Sequence, residues 1–499
     1  MYNFKMLDTF YVSLFCITTL ILFIAFKWIS FDSNTKKTLP PSPPRLPIIG
    51  NFHQLGSSPR ESLRDLSNKY GPLMLLHLGS IPTLVVSSAE VAREVMKTHD
   101  LVFSDRPSLS IPNILFYGST DIAFSRYGEY WRQLKSIVVL NLLSATRVKS
   151  FRQVREEETG LVIRALEESR GSIVDMSALL GSYTSNVLCR VAFGKTYYEL
   201  GFTDKLKKFV DMLGTFCVGS YIPWLSWIDR LSGLRGSAHA ISKELDHFLE
   251  GVIDVHLNKK MGSGDETQDF VDILRDIQKD KTIGFRLDTN TLKAVILDVF
   301  VAGSDTIFSS LDWAMSELIK HPRVMKKLQQ EVTEVAQGRS TISEDDLDKM
   351  KYLKAVVKEA LRLHAPLPLL LAREARNGVN LMGYDIPPGT QVIINAWAIG
   401  RDPVSWNEPE EFKPERFLNN PVEYKGLHYE FLPFGAGRRG CPGLHFAIVL
   451  IELILANIVH KVNFELPNGV KDVDLDMTVA NGVTVQRKFP LLVMASPRV

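Results

Sequence analysis

A lone cysteine inside a glycine-rich loop, Phe434-Gly435-Ala436-Gly437-Arg438-Arg439-Gly440-Cys441-Pro442-Gly443, sets the tightest condition on this chain. Proline follows the cysteine at once, and the long apolar stretch from Leu444 to Val462 reads as a helix behind it. Proline suits the first helical turn, where a missing N–H costs nothing. The sulfur is thereby expected at a helix N-terminus, whose dipole and unpaired N–H groups favour a thiolate. Gly435, Gly437, Gly440 and Gly443 let the backbone turn tightly and lie close to a flat object. A thiolate so held is what a haem iron takes as an axial ligand when it activates oxygen. A structural cysteine buried beside a turn is the competing reading.

Length and charge narrow the class. The 499 residues, 45% of them hydrophobic, can build a large core. Lys+Arg 58 against Asp+Glu 56 leaves a net charge of +2, which argues for neither nucleic acid nor any strongly acidic partner. The other cysteines, Cys16, Cys189 and Cys217, form no zinc spacing and no secreted disulfide framework with Cys441, so a reducing compartment is expected.

From Thr9 to Phe26 no residue is charged, and Trp28, Ile29 and Phe31 extend the apolar run. The length suits a spanning helix. A cleaved signal peptide is the alternative, but Asp8 spoils its basic region and no small-x-small site follows. Lys27, Lys36, Lys37 and Arg45 on the downstream side place that side in the cytosol. Residues 1–31 are therefore read as a membrane anchor. Residues 32–51, with Pro40-Pro41-Ser42-Pro43-Pro44-Arg45-Leu46-Pro47, are read as a stiff proline-rich hinge.

The remainder, 52–499, reads as one mainly α domain with a small β-sheet region. Leu73–Leu78 and Thr83–Val86 have strand character, Ala89–Thr98 helical character, and from Ser125 onward the pattern is mostly helical. Asp288 or Thr289 caps a long helix ending at Lys320, before His321-Pro322. In its middle stands Ala302-Gly303-Ser304-Asp305-Thr306. A glycine there costs about 1 kcal/mol against alanine, so either a second helix packs closely or room is needed for a ligand. Glu359 and Arg362 share one face of the helix Leu353–Leu363.

These motifs together resemble the cytochromes P-450, from the proline stretch to the C-terminus. The chain is similar to plant microsomal members, in the large specialised-metabolism group that includes menthofuran synthase and psoralen synthase. The resemblance implies a P-450 fold with an N-terminal transmembrane helix and haem b ligated by the Cys441 thiolate. It places Phe434, Gly435, Arg438 and Gly443 around the haem from the loop, and Ala302 and Gly303 over it. Thr306 would support proton delivery to dioxygen, assisted by Asp305. Trp131, Arg132, Arg373 and Arg438 would meet the propionates, with Lys135 standing where the family commonly has arginine. Pro414-Glu415-Arg416-Phe417 matches the family segment that completes a Glu359–Arg362–Arg416 network. The substrate pocket would include Ile111, Phe116, Val301, Leu369, Leu370 and Val483, nearly all apolar and offering no charged anchor.

The implied activity is an NADPH- and O2-dependent monooxygenase acting on a small hydrophobic plant metabolite, a terpenoid or a coumarin-like aromatic. Electrons would come from a membrane-bound NADPH–cytochrome P-450 reductase, which carries the flavins, and Arg439 and Lys135 are candidates for a basic face toward it. The expected place is the endoplasmic reticulum membrane, with a single-pass anchor and the catalytic domain in the cytosol. Two alternatives stay open: a haem-thiolate isomerase or dehydratase working without O2, and a non-catalytic membrane haem-binding protein.

Overall fold

The computed structural model describes residues 15, 18–19 and 38–498, except 170, 198–200, 259–267, 281–283 and 481. The anchor expected over 1–31 thus lies outside the described residues but for three positions.

β1 (Leu73–Leu78) and β2 (Ile81–Val86) form an antiparallel hairpin, turned at Gly79 with φ +61°. Their Leu and Val runs are buried on both faces, which marks them as core strands. The other strands are short: β3 (Ile173–Asp175), β4 (Arg373–Glu374), β5 (Val379–Leu381), β6 (Tyr384–Ile386), β7 (Gln391–Ile394), β8 (Val462–Glu465) and β9 (Leu492–Pro497). One sheet has the order β1-β2-β7-β4, with β2 and β7 parallel and Thr83 opposite Gln391. β3-β9-β8 make a second sheet and β5-β6 a third. The four-stranded sheet matters for the site because β4 seats Arg373 opposite Val392.

Helices make up the rest of the body. Six of them position the site: α1 (Glu129–Asn141), α2 (Met176–Phe193), α3 (Phe202–Leu213), α4 (Thr289–Lys320), α5 (Lys351–Leu363) and α6 (Leu444–Lys461). α4 crosses the main hydrophobic core and packs against α2, α5 and α6. Its start is set locally, because the Asp288 side chain accepts the Thr291 N–H at 2.7 Å. Its end is set by Pro322, which opens the next helix. α4 and α6 are long and apolar enough to cross a bilayer, yet both contribute to this core.

Three local expectations are modified. Ala89–Thr98 is not one α-helix, because Glu94–Thr98 widens into a π turn in which the His99 N–H reaches the Glu94 carbonyl at 2.8 Å. α6 starts at Leu444 with Gly443 as its cap, so Pro442 lies just before the helix rather than in its first turn. The proline stretch is docked rather than free: the Pro41 carbonyl accepts from Leu75 N–H at 2.9 Å, and the Asn51 amide reaches the Pro44 carbonyl at 3.2 Å. Residues 38–51 belong to the folded body here.

Candidate active site

The cysteine loop is a knot of backbone contacts. Cys441 N–H donates to the Phe434 carbonyl at 2.9 Å, and Gly440 N–H to that of Gly437 at 3.0 Å. Gly437 has φ +68°, and a Cβ there would lie 2.4 Å from the Met96 carbonyl oxygen, so only glycine fits. The sulfur opens into an internal cavity that Phe434, Gly435 and Gly443 also line. It is exposed to that cavity yet deep in the protein. Burial pushes the Cys441 thiol up, against the downward pull of the Gly443 N–H and Lys135. A coordinated iron would outweigh that burial, because a coordinating thiol is deprotonated outright.

One side of the same cavity carries four cations: Arg106, Lys135, Arg373 and Arg439. Arg439 donates to the Ser104, Ile122 and Ser125 carbonyls at 2.7, 3.1 and 2.6 Å. Arg106 donates to those of Ala123, Leu371 and Ala372 at 2.8, 2.6 and 2.8 Å. Lys135 meets the Arg438 carbonyl, and Arg373 that of Ala436 at 2.8 Å. Among the described residues, none of Arg106, Lys135 and Arg439 has a salt-bridge partner, and Arg373 has only a loose pair with Asp100 at 3.4 Å. Burial and mutual repulsion hold Lys135 down to about 8 and Arg439 down to about 10. Buried positive charge of this density calls for an anion.

This cluster corrects the expected set. Arg132 is exposed and does not line the cavity. Arg438 is turned outward to Asp100 at 3.3 Å, while its neighbour Arg439 turns inward. Trp131 lines the cavity with its ring, but its indole N–H is spent on the Ile122 carbonyl at 3.0 Å. Arg439 and Lys135 point into this cluster, so they do not form a basic face toward a partner. Arg106 was invisible from sequence; a lone arginine in a loop carries no local signal.

Across α4, Ala302, Gly303 and Thr306 line the cavity, with the Ala302 side chain facing it openly. A Cβ on Gly303 would meet the Leu188 side chain of α2 at 3.1 Å, so close packing of a second helix accounts for that glycine. The Thr306 hydroxyl donates to the Ala302 carbonyl at 2.5 Å. Asp305 faces the other way, into a second cavity of about 1110 Å³. Its carboxylate takes hydrogen bonds from the Thr484 hydroxyl and from Gln486 Nε2 at 2.5 Å, and burial pushes its pKa up. The acid and the hydroxyl are thus neighbours in sequence on different faces of one helix.

The expected pocket residues divide. Leu370 borders both cavities, whereas Leu369 and Val483 border only the second. Ile111 and Phe116 are 2% and 1% exposed and belong to the core, Phe116 edge-on to Phe209 at 5.2 Å. Val301 packs against that core and lines neither cavity. An apolar residue near a cavity and one in a core carry the same signature in sequence.

Behind the loop, Arg362 Nε and Nη2 grip both oxygens of Glu359 at 2.8 and 2.9 Å, and Arg416 Nε adds a third contact at 2.9 Å. Arg362 Nη1 also donates to the Gly400 and Pro409 carbonyls, each at 2.6 Å. Glu359 is fully buried, with every charge in the set hydrogen-bonded.

A sulfur donor, apolar walls and a cation cluster at one edge fit a flat iron macrocycle bearing carboxylates. Comparisons with known proteins point the same way. A family model described as cytochrome P-450 matches residues 40–493. The chain is 54% identical over 499 residues to a 3-beta-hydroxylase of Tanacetum parthenium, covering 99% of each. It is 52% identical over 491 residues to the psoralen synthase of Ammi majus, covering 98% of each. A zebra fish cytochrome P-450 solved with progesterone superposes with a TM-score of 0.75 at 26% identity, covering 88% of this chain and 99% of that one.

Proposed function

Because the chain belongs to the cytochrome P-450 family, we propose that it is an NADPH- and O2-dependent monooxygenase oxidising a small hydrophobic plant metabolite, of terpenoid or coumarin-like type. One observation carries the reading: Cys441 and Thr306 open into the same apolar cavity, with the cation cluster on its rim.

Haem b bound there would supply dioxygen activation, the chemistry by which one oxygen atom of O2 enters a substrate while the other leaves as water with two electrons and two protons. In this reading Cys441 holds the iron, and Arg106, Lys135, Arg373 and Arg439 hold the propionates. Thr306 donates its own proton to the Ala302 carbonyl, which would leave the Oγ1 lone pairs toward the cavity to accept a hydrogen bond and hold a proton-carrying group there. Val295, Val299, Leu367 and Leu370 exclude water and offer apolar contact to a hydrophobic substrate. Electrons come from an NADPH–cytochrome P-450 reductase, which keeps the flavins and NADPH.

The proposed location is the endoplasmic reticulum membrane, held by the N-terminal segment with the catalytic domain in the cytosol. An exposed apolar patch supports contact with a bilayer: Leu46, Ile48 and Ile49 beside Phe216, Trp224, Trp227 and Leu231. The Phe52 ring joins the two segments, 5.1 Å from Phe216 and 5.2 Å from Tyr221.

The deciding experiment is the carbon monoxide difference spectrum of the reduced protein, followed by turnover of terpenoids and coumarins with reductase and NADPH. A strongly red-shifted Soret band and NADPH-dependent product are expected. Haem-loaded, folded protein without that band would overturn the reading.

A further inference from the structure

The apolar cavity has a carboxyl on its wall that the proposed chemistry does not use. Asp298 lies on α4 one turn before Ala302, open to the cavity but deep in the protein. Its Oδ2 accepts the Ile122 N–H at 2.6 Å. Asp121 is fully buried beside it, with Oδ2 accepting the Phe124 N–H at 2.8 Å. Among the described residues, Asp121 Oδ1 is buried with no hydrogen-bond donor when both carboxyls are ionised.

We propose that Asp121 and Asp298 share one proton, and that this proton fastens the segment Asp121–Ser125 to α4 as a wall of the cavity. A proton on Asp298 is the donor that the unpartnered Asp121 oxygen lacks. Burial pushes Asp298 well above the ordinary carboxylate range, with the Asp121 charge pushing it further, and pushes Asp121 up to about 6 while a hydrogen bond with Asp298 holds Asp121 down.

The other ionisable groups facing the pair leave it without an alternative. Arg106 and Arg439 lie near Asp121, yet the side-chain hydrogen bonds they make in this structure go to carbonyls rather than to its carboxyl. Tyr130 of α1 turns its hydroxyl to Thr120 and Thr291, at 2.8 and 3.1 Å. Ile122 is consequently gripped on both sides: its N–H by Asp298, its carbonyl by Trp131 and Arg439. One proton thus links the long helix to the cation cluster, and Asp298 acts as a positioning residue.

The sign of the pH dependence follows. The folded pair binds protons more tightly than the unfolded chain, so the fastening is complete at low pH. It weakens as pH rises from about 4 through the folded values, then levels off. The test is amide hydrogen exchange across Ile122–Phe124 in the haem-loaded, full-length protein, from about pH 5 to about pH 9, with rates corrected for intrinsic exchange. Wild-type protection should fall by up to about tenfold per pH unit as the pair ionises. Asp298→Asn keeps a carbonyl for Ile122 and offers N–H to Asp121, so its protection should stay high and flat. Asp121→Asn, the reciprocal change, should behave likewise. Wild-type protection that does not change with pH would overturn the proposal, as would Asn variants that follow the wild-type slope. Because the readout is exchange, it stands whatever substrate the enzyme takes.

Discussion

The brace behind the cysteine loop and the wall across the cavity both bury charge, and they handle it in opposite ways. In the brace, Glu359, Arg362 and Arg416 satisfy one another and the surrounding carbonyls completely, and nothing there depends on the protonation of a neighbour. It is tied to the loop through Phe417, which packs on Phe431 at 5.3 Å, three residues before Phe434. The wall keeps polar atoms in reserve: among the described residues Asp121 Oδ1 and Ser304 Oγ have no hydrogen-bond partner, and Asp298 and Asp305 are both pushed up. The side holding the proposed iron ligand is built for rigidity. The side proposed to meet substrate and protons is built around groups that can change state.

The largest effect should come from breaking the brace. Arg362→Ala leaves Glu359 buried and short of two hydrogen bonds, a loss of about 3–5 kcal/mol. That is a large share of a typical domain's stability, so denaturant unfolding should show little folded protein. Cys441→Ala is next and more selective. The fold should survive by circular dichroism, while the thiolate spectrum disappears. Arg439→Ala removes a cation with three part-buried hydrogen bonds, and haem should dissociate faster on dilution into apomyoglobin. Thr306→Ala should leave fold and haem intact but lower product formed per NADPH, by up to about a hundredfold, with hydrogen peroxide appearing instead. Unchanged coupling would remove Thr306 from the proton path. Smallest of all, Arg438→Ala breaks an exposed pair with Asp100 and should change stability by no more than about 0.5 kcal/mol, with haem retention unaltered. The contrast between Arg438 and Arg439 is the sharpest check on the cation cluster.

Much of this arrangement was legible beforehand where the signal is local. The β1 strand, the Asp288 cap and both ends of α4 follow from residue type and spacing, because hydrogen bonds within a few residues decide them. The Glu359–Arg362 pair was visible as an i, i+3 contact, but its burial was not, since that depends on segments 38 to 54 residues away. Arg132, Arg438, Ile111 and Phe116 were placed at the site from sequence and lie elsewhere. Arg106 and the Asp121–Asp298 pair were missed altogether. In each case the deciding fact is which way a side chain turns once distant elements close around it.

The amino-acid order by itself determined the elements, the cysteine loop with its obligatory Gly437, and the family of chemistry. Those rest on backbone sterics, helix periodicity and the identity of one sulfur, all of which act at short range. Only the tertiary structure decided which of two adjacent arginines faces the cavity and which carboxyls meet. It also decided that Asp305 and Thr306 look into different chambers. Such choices are made by burial and by charges brought together from remote parts of the chain, and neither exists until the chain has folded.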